Sequence, residues 1–229
     1  EHDVLVAPPR PNEAGDLQAL RGLHVLDTSR EAQFDALVDA AALACETPIA
    51  VISLIDTDRQ WFKACLGLPG VSETPRDVAF CAHAVLEDDL MEVSDAHADD
   101  RFRNNPLVTG DPCIRFYAGM PLKLKNGACV GTLCVIDRVA KQLTERQKQM
   151  LRKLALVAAH ALENHGADRR VAELEAVNLR VYDASPAMLY SIDPQGVVLA
   201  ASDMLLAKLG YNRDEVVGKP GADFLTPES

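Results

Sequence analysis

Cys113-Ile-Arg-Phe-Tyr-Ala-Gly-Met-Pro-Leu-Lys-Leu-Lys-Asn126-Gly127-Ala-Cys-Val-Gly-Thr-Leu-Cys-Val-Ile-Asp137 reads as two β-strands joined by a tight turn. Asn126-Gly127 is the strongest short hairpin signal, because both residue types accept the positive φ that a type I′ turn demands. The second arm, residues 128–136, is almost wholly apolar. That predicts a strand covered on both faces, at the centre of its sheet. Gly119 and Gly131 remove a side chain from each arm, as happens where a bulge forms or another group approaches the backbone closely. A lone hairpin is marginal in water, so further strands and covering helices are required.

The rest of the chain has the composition to supply them. Of 229 residues, 48% are apolar and 25% charged, which is ordinary for a globular protein with a real core. A formal net charge of −11 argues against nucleic acid or an anionic membrane as partner. No apolar run reaches bilayer length and no signal-peptide pattern opens the chain, so a cytoplasmic location is expected. Cys45, Cys65, Cys81, Cys113, Cys129 and Cys134 include no Cys-x-x-Cys pair and fall mostly in apolar runs. Free thiols packed as small hydrophobes follow, and no metal-ligand spacing is present.

Residues 1–13 carry three prolines and read as a loose lead-in. Leu17, Leu20 and Leu23 recur at helical spacing and predict a short helix ending near Gly22. Thr28-Ser29-Arg30-Glu31 has the form of a capping box, opening a helix with Phe34, Leu37, Val38, Ala41 and Cys45 on its core face. Residues 49–55 and 60–65 read as strands around a turn at Asp56-Thr57-Asp58, the second carrying the single tryptophan, Trp61. Residues 66–77, rich in Gly and Pro, read as a surface loop. Residues 78–86 form a short helix with Cys81 and His83, and residues 91–93 a brief strand. Residues 95–111 are a long polar loop holding Asp99, Asp100, Arg101 and Arg103. Thr144-Glu145-Arg146-Gln147 is a second capping box. It opens a long helix whose Leu151, Leu154, Ala158 and Leu162 face the sheet.

Four separated stretches, in this order, closely resemble the GAF family of sensory domains: Asp58-Arg59-Gln60-Trp61-Phe62-Lys63, Ala79-Phe80-Cys81-Ala82-His83, residues 101–108, and the hairpin itself (residues 114–122 and 131–137). The resemblance covers roughly residues 14–165, with the domain placed at 14–162. It implies an α+β fold, an antiparallel sheet sandwiched by helices, often with a small-molecule pocket on one face. By that analogy the pocket candidates are Trp61, Phe62, Cys81, His83, Asp95, Arg101, Arg115, Tyr117 and Cys134, with Asp99 and Asp100 nearby. The alternative reading has Arg101 and Arg115 pairing with the aspartates and fixing the long loop.

The chemistry open to such a pocket is limited. Cys81 and His83, two residues apart on a helix, lie on different faces, so they make a poor nucleophilic pair. Bilin-binding relatives attach their chromophore through a Cys-His dipeptide, which Ala82 interrupts here. A cyclic-nucleotide signature and a Gly-rich phosphate loop are both missing. Free-methionine sulfoxide reductases use the same fold with thiols over the pocket. Convergence of Cys81, Cys113 and Cys134 would give that chemistry, but Cys134 in an apolar strand offers neither a lowered pKa nor access. No constellation for acid–base, metal or phosphoryl chemistry is recognisable, so the segment is expected to catalyse nothing. No cofactor is recognisable either, beyond an unidentified small-molecule ligand.

Beyond the domain, Val157, Asn164, Val171 and Asn178 alternate with His160, Ala167, Leu174 and Val181 in a heptad. This predicts a helical linker at residues 163–182, with Val171, Leu174, Asn178 and Val181 on the seam of a homodimeric coil. The alternative is an amphipathic helix folded back on its own domain, and Gly166 leaves either one bent helix or two. Residues 183–229 resemble the front half of a PAS domain, on Ala184-Ser185-Pro186, Asp193-Pro194-Gln195-Gly196 and residues 210–219. The whole resembles a sensory segment of a bacterial signalling protein, coupled to an output domain in the same chain: a diguanylate cyclase, a cyclic-di-GMP phosphodiesterase or a histidine kinase. The alternatives are a dimerisation module that binds no ligand and a sulfoxide reductase-like thiol enzyme.

Overall fold

The computed structural model describes residues 4–183 and 187–224. The chain divides into two compact units, residues 1–167 and 168–229. In the first, α1 (Glu13–Gly22) and α2 (Ala32–Cys45) precede the strands β1 (Ile49–Ile55), β2 (Arg59–Leu66) and β3 (Glu73–Pro75). Then come α3 (Phe80–Ala84), β4 (Met91–Val93), α4 (Pro106–Thr109), β5 (Phe116–Lys123), β6 (Cys129–Asp137) and the long α5 (Glu145–Asp183). The six strands form one antiparallel sheet in the order β3-β2-β1-β6-β5-β4. Every residue of β1 and β6 is buried. Their unbroken apolar runs are thus the two central strands of a sheet covered on both faces.

Strand alternation sorts the core into two layers. Ala50, Ile52, Leu54, Trp61, Leu133 and Val135 pack under α1, α2 and the first half of α5, where Phe34, Leu151 and Leu162 are fully buried. Each such side chain contributes about 1.5–3 kcal/mol on burial. Ile49, Val51, Phe62, Tyr117, Cys134 and Ile136 face the opposite way, beneath α3, α4 and the long loop. The hairpin turn departs from the type I′ expectation. Of Asn126 and Gly127 only the glycine takes a positive φ, +86°. The Gly127 amide donates to Leu124 O and the Leu124 amide to Ala128 O, both at 2.9 Å. This wider loop, with a left-handed glycine and a register shift at Leu122/Lys123, lets Leu124 bury its side chain among the helices.

The capping box at Thr28 does not form. Glu31 is the N-cap of α2 and makes no side-chain cap, because both box residues are taken by a buried ammonium. Ile52 pairs with Ala64 and Ser53 with Phe62, so Lys63 is the extra residue of a β-bulge. Its buried Nζ donates to Thr28 Oγ1 (2.9 Å), to Ser29 O (3.0 Å) and to the Glu31 carboxylate. At Thr144 the box does close: the Thr144 amide donates to Gln147 Oε1 (2.9 Å) and the Gln147 amide to Thr144 Oγ1 (3.3 Å). α5 runs on through Gly166 as one helix. A Cβ at residue 166 would sit 3.0 Å from Leu23 Cα, so the glycine serves close packing and not a break.

The lead-in is anchored rather than loose. Arg10 is buried, donates to Cys129 O and pairs with Asp16 at 3.4 Å, while Asp16 accepts from the Cys129 amide at 3.1 Å. Glu13 receives both guanidinium nitrogens of Arg76 at 2.7 and 2.8 Å. Those bonds from Arg76, opposed by burial and aided by the Arg10 amide, lower the Glu13 carboxyl to about 2. A depressed folded-state pKa contributes stability that is complete above the unfolded value and lost as pH falls through the folded one. Glu13→Gln is therefore expected to cost about 1–2 kcal/mol in urea unfolding at pH 7 and almost nothing near pH 2. A gap that stays constant across that window would refute the assignment.

The second unit is built on local signals. Its hairpin, β7 (Tyr190–Ile192) and β8 (Val198–Ala201), turns on Asp193, whose Oδ1 accepts from the Gln195 and Val197 amides, and on Gly196 at φ +83°. Ser202 caps α6 (Asp203–Leu209), which ends at a left-handed Gly210; Asn212 and Glu215 cap α7 (Arg213–Val216). Val198, Ala201, Leu205, Leu206 and Val216 form its small core. Ala184-Ser185-Pro186 lies outside the described residues. Of the proposed seam, Val171 and Leu174 are 55% and 70% exposed, and the side chains of Asn178 and Val181 also lie outside what is described. No helix among the described residues is long and apolar enough to cross a membrane.

Candidate functional site

A cavity of about 150 Å³ lies on the sheet face away from α5. Its floor is Val51, Gln60, Phe62, Tyr117, Cys134 and Ile136; Phe80 and Cys81 of α3 roof it, with Leu107, Pro112 and Ile114. Leu68 and Val71 of the loop after β2, with Thr74 of β3, close the side. The walls are mostly apolar, with a few polar groups converging, the usual form of a small-molecule site.

Those polar groups centre on one sulfur. Cys81 Sγ lies 3.8 Å from Cys134 Sγ and accepts from Tyr117 Oη at 3.3 Å. Tyr117 reaches it because Gly119 leaves room: a Cβ there would meet the tyrosine oxygen at 2.1 Å. Burial opposes ionisation of Cys81, but the Cys134 thiol, the nearby Ser53 and Thr132 hydroxyls and the Tyr117 phenol outweigh it and lower the thiol below its ordinary value. Its contact with Cys81, and then its own burial, raise Cys134 well above the ordinary thiol range. Burial likewise raises Tyr117. From Ser53 a polar chain runs through Gln60 Oε1 (3.3 Å) and Gln60 Nε2 to Thr74 Oγ1 (2.8 Å).

Of the nine candidates, Phe62, Cys81, Tyr117 and Cys134 line the cavity and the other five lie elsewhere. Alternation along β2 sends Trp61 into the helix-side core. His83 points away from Cys81, donating from Nε2 to Leu5 O at 3.0 Å and packing edge-on against Phe102; burial lowers its pKa. Asp95 binds Arg115 through two contacts of 2.6 and 2.8 Å, and Asp99 binds Arg101 at 2.7 and 3.0 Å. Arg115 holds Asp95 down to about 2. These four side chains brace the long loop. Cys113, which the thiol-enzyme reading would need over the pocket, is exposed and outside the cavity lining. Ser53, Gln60 and Thr132 were missed by sequence reasoning. The signal was there for two of them: Ser53 and Thr132 are the hydroxyls inside otherwise apolar central strands.

Comparison with known proteins agrees with this architecture. The sequence profile of the GAF domain matches residues 29–162, more than half of the chain. The chain belongs to the GAF family. The cyclic di-GMP phosphodiesterase PA2567 of Pseudomonas aeruginosa is 37% identical over 219 residues, 90% of this chain and 37% of that protein. The chain thus spans little more than a third of that relative's length. Among solved structures, the GAF domain of an Acinetobacter phosphoenolpyruvate-protein phosphotransferase is 16% identical and covers 69% of this chain and 96% of its own, with a TM-score of 0.52. The corresponding GAF domain from Coxiella burnetii is also 16% identical, covering 70% and 99%, with a TM-score of 0.51. At that identity the two establish the fold alone.

Proposed function

We propose that this GAF domain is the sensory part of a longer signalling protein whose output hydrolyses cyclic di-GMP. The observation that carries the reading is the similarity to a cyclic di-GMP phosphodiesterase running along nearly the whole chain, through both units. The second unit, read as the front half of a PAS domain, would stand between sensor and output. Occupancy of the cavity is the signal, and the open cavity favours this over a dimerisation module with a filled pocket. Successive residues of β6 supply a route, because Cys134 and Ile136 face the cavity while Leu133 and Val135 face the helices. His165 of α5 contacts Glu31 at 3.2 Å, tying the helix to the Lys63 cluster. α5 then pairs with α5 of a second copy through Val171 and Leu174, and the change in the pair is passed onward.

Native mass spectrometry of the freshly purified chain tests this: a dimer retaining a small molecule supports it, and a monomer refutes the pairing. Leu174→Asp is expected to give monomers with unchanged far-UV circular dichroism, since a charge at the centre of the seam is buried only in the dimer. An unaltered dimer would remove α5 as the contact. For the output, the complete gene product should hydrolyse cyclic di-GMP, and no turnover would refute that assignment.

A further inference from the structure

We propose that Cys81 and Cys134 are a redox pair that closes to a disulfide when a hydroperoxide enters the cavity. The inference deepens the sensor reading by naming the signal's class, and rests on that reading only for its consequence. Three observations carry it. The two sulfurs are 3.8 Å apart. A disulfide bond is about 2.05 Å long, so an approach of roughly 1.8 Å closes it. Both sulfurs line a cavity of about 150 Å³, ample for a peroxide molecule. And Tyr117 Oη donates to Cys81 Sγ, marking Cys81 as the acceptor, hence the nucleophile, of the pair.

The other cysteines lack this arrangement. Cys45 is buried in the helix-side core, and Cys129, in the same layer as the pair, lies outside the cavity lining; burial pushes both thiols up, Cys45 to about 11. Cys65 is also raised by burial, and Cys113 is exposed and outside the cavity lining. In the first step the Cys81 thiolate attacks the distal oxygen of the hydroperoxide. The S–O bond forms as the O–O bond breaks, leaving a sulfenic acid and an alkoxide or hydroxide that takes up a proton. In the second, the Cys134 sulfur attacks the Cys81 sulfur, loses its proton and expels the hydroxyl as water. Two thiols and one hydroperoxide give one disulfide, one alcohol (or water) and one water. The bond would pull α3 onto β6, whose neighbouring Leu133 and Val135 touch the helix layer.

The test treats the reduced full chain with one equivalent of hydrogen peroxide, blocks thiols with N-ethylmaleimide in denaturant, and maps peptides without reductant. The expected product is a Cys81–Cys134 linked peptide, reversed by dithiothreitol and formed at least about tenfold faster than oxidation of Cys113. In Cys134→Ser, Cys81 should instead be trapped by dimedone as the sulfenic acid. Recovery of both peptides fully alkylated, or a disulfide through Cys113, would overturn the proposal; the wild-type result decides it even if a variant fails to fold. A linked peptide from a monomer would leave this site standing while removing the dimer reading. A ligand-bearing dimer without the link would do the reverse.

Discussion

Gly131→Ala is expected to destabilise the GAF domain by about 3 kcal/mol or more, and to lower its Tm by roughly 6–12 °C. A Cβ at residue 131 would lie 2.0 Å from Ser53 O and 2.9 Å from Leu54 Cα. Both obstacles are backbone of β1, paired with β6 at the centre of the sheet. A flexible side chain can swing away from such a contact, but a strand hydrogen-bonded on both sides cannot move without breaking its ladders. Gly127 provides the contrast: it sits at φ +86°, and a Cβ there would meet nothing within 4 Å. Gly127→Asn should therefore cost no more than about 1 kcal/mol, since asparagine tolerates the left-handed region. Thermal unfolding of the two variants checks the argument. Equal Tm values would mean that β1 and β6 adjust freely at this crossing.

The second large effect is at Glu31. Lys63 has a fully buried side chain, whereas that of Glu31 is 28% exposed, so the carboxylate retains some solvent but the ammonium has none. Removing the carboxylate leaves a buried charge with two neutral oxygens, Thr28 Oγ1 and Ser29 O, and the face of the Phe34 ring 5.1 Å away. Glu31→Leu is expected to cost about 3 kcal/mol, the lower end for breaking a buried pair, because the site is partly open. Adding Lys63→Met should return all but about 1 kcal/mol, since an apolar pair has no charge to desolvate. Urea unfolding of the two single variants and the double variant measures the coupling. Additive costs would show that Lys63 and Glu31 act independently. Burial raises the Glu31 carboxyl, but hydrogen bonds from Lys63 and Gln33 bring it below its ordinary value. Its stabilisation is thus present above the unfolded carboxylate pKa and fades as pH falls, and Glu31→Leu should flatten that acid limb.

Local order in the chain was legible because its causes are local. The apolar runs of β1 and β6 and the phase of α2 and α5 are properties of neighbouring residues, and each element forms where its pattern lies. The caps at Thr144 and Ser202 work for the same reason: donor and acceptor are three residues apart. The identical-looking box at Thr28 fails because Lys63, more than thirty residues further on, competes for both of its oxygens. Nothing within a window around Thr28 signals that. In the long loop the arginines pair with the aspartates, as the alternative reading has it. Arg101 meets Asp99 two residues before it, whereas Arg115 meets Asp95 across twenty, and both pairings draw the charges away from the cavity.

By itself, then, the sequence determined the apolar strands β1 and β6, the β5–β6 hairpin, the flanking helices and membership of the GAF family, since each rests on patterns that short stretches carry complete. Only the tertiary structure decided the turn geometry at Gly127, the use of Glu31 and the make-up of the cavity. Cys81 and Cys134 are 53 residues apart. What brings their sulfurs together is the packing of α3 over β6, with the missing side chain at Gly119 admitting Tyr117 beside them. Contacts of that kind depend on how faces of distant elements register, and no spacing along the chain encodes it.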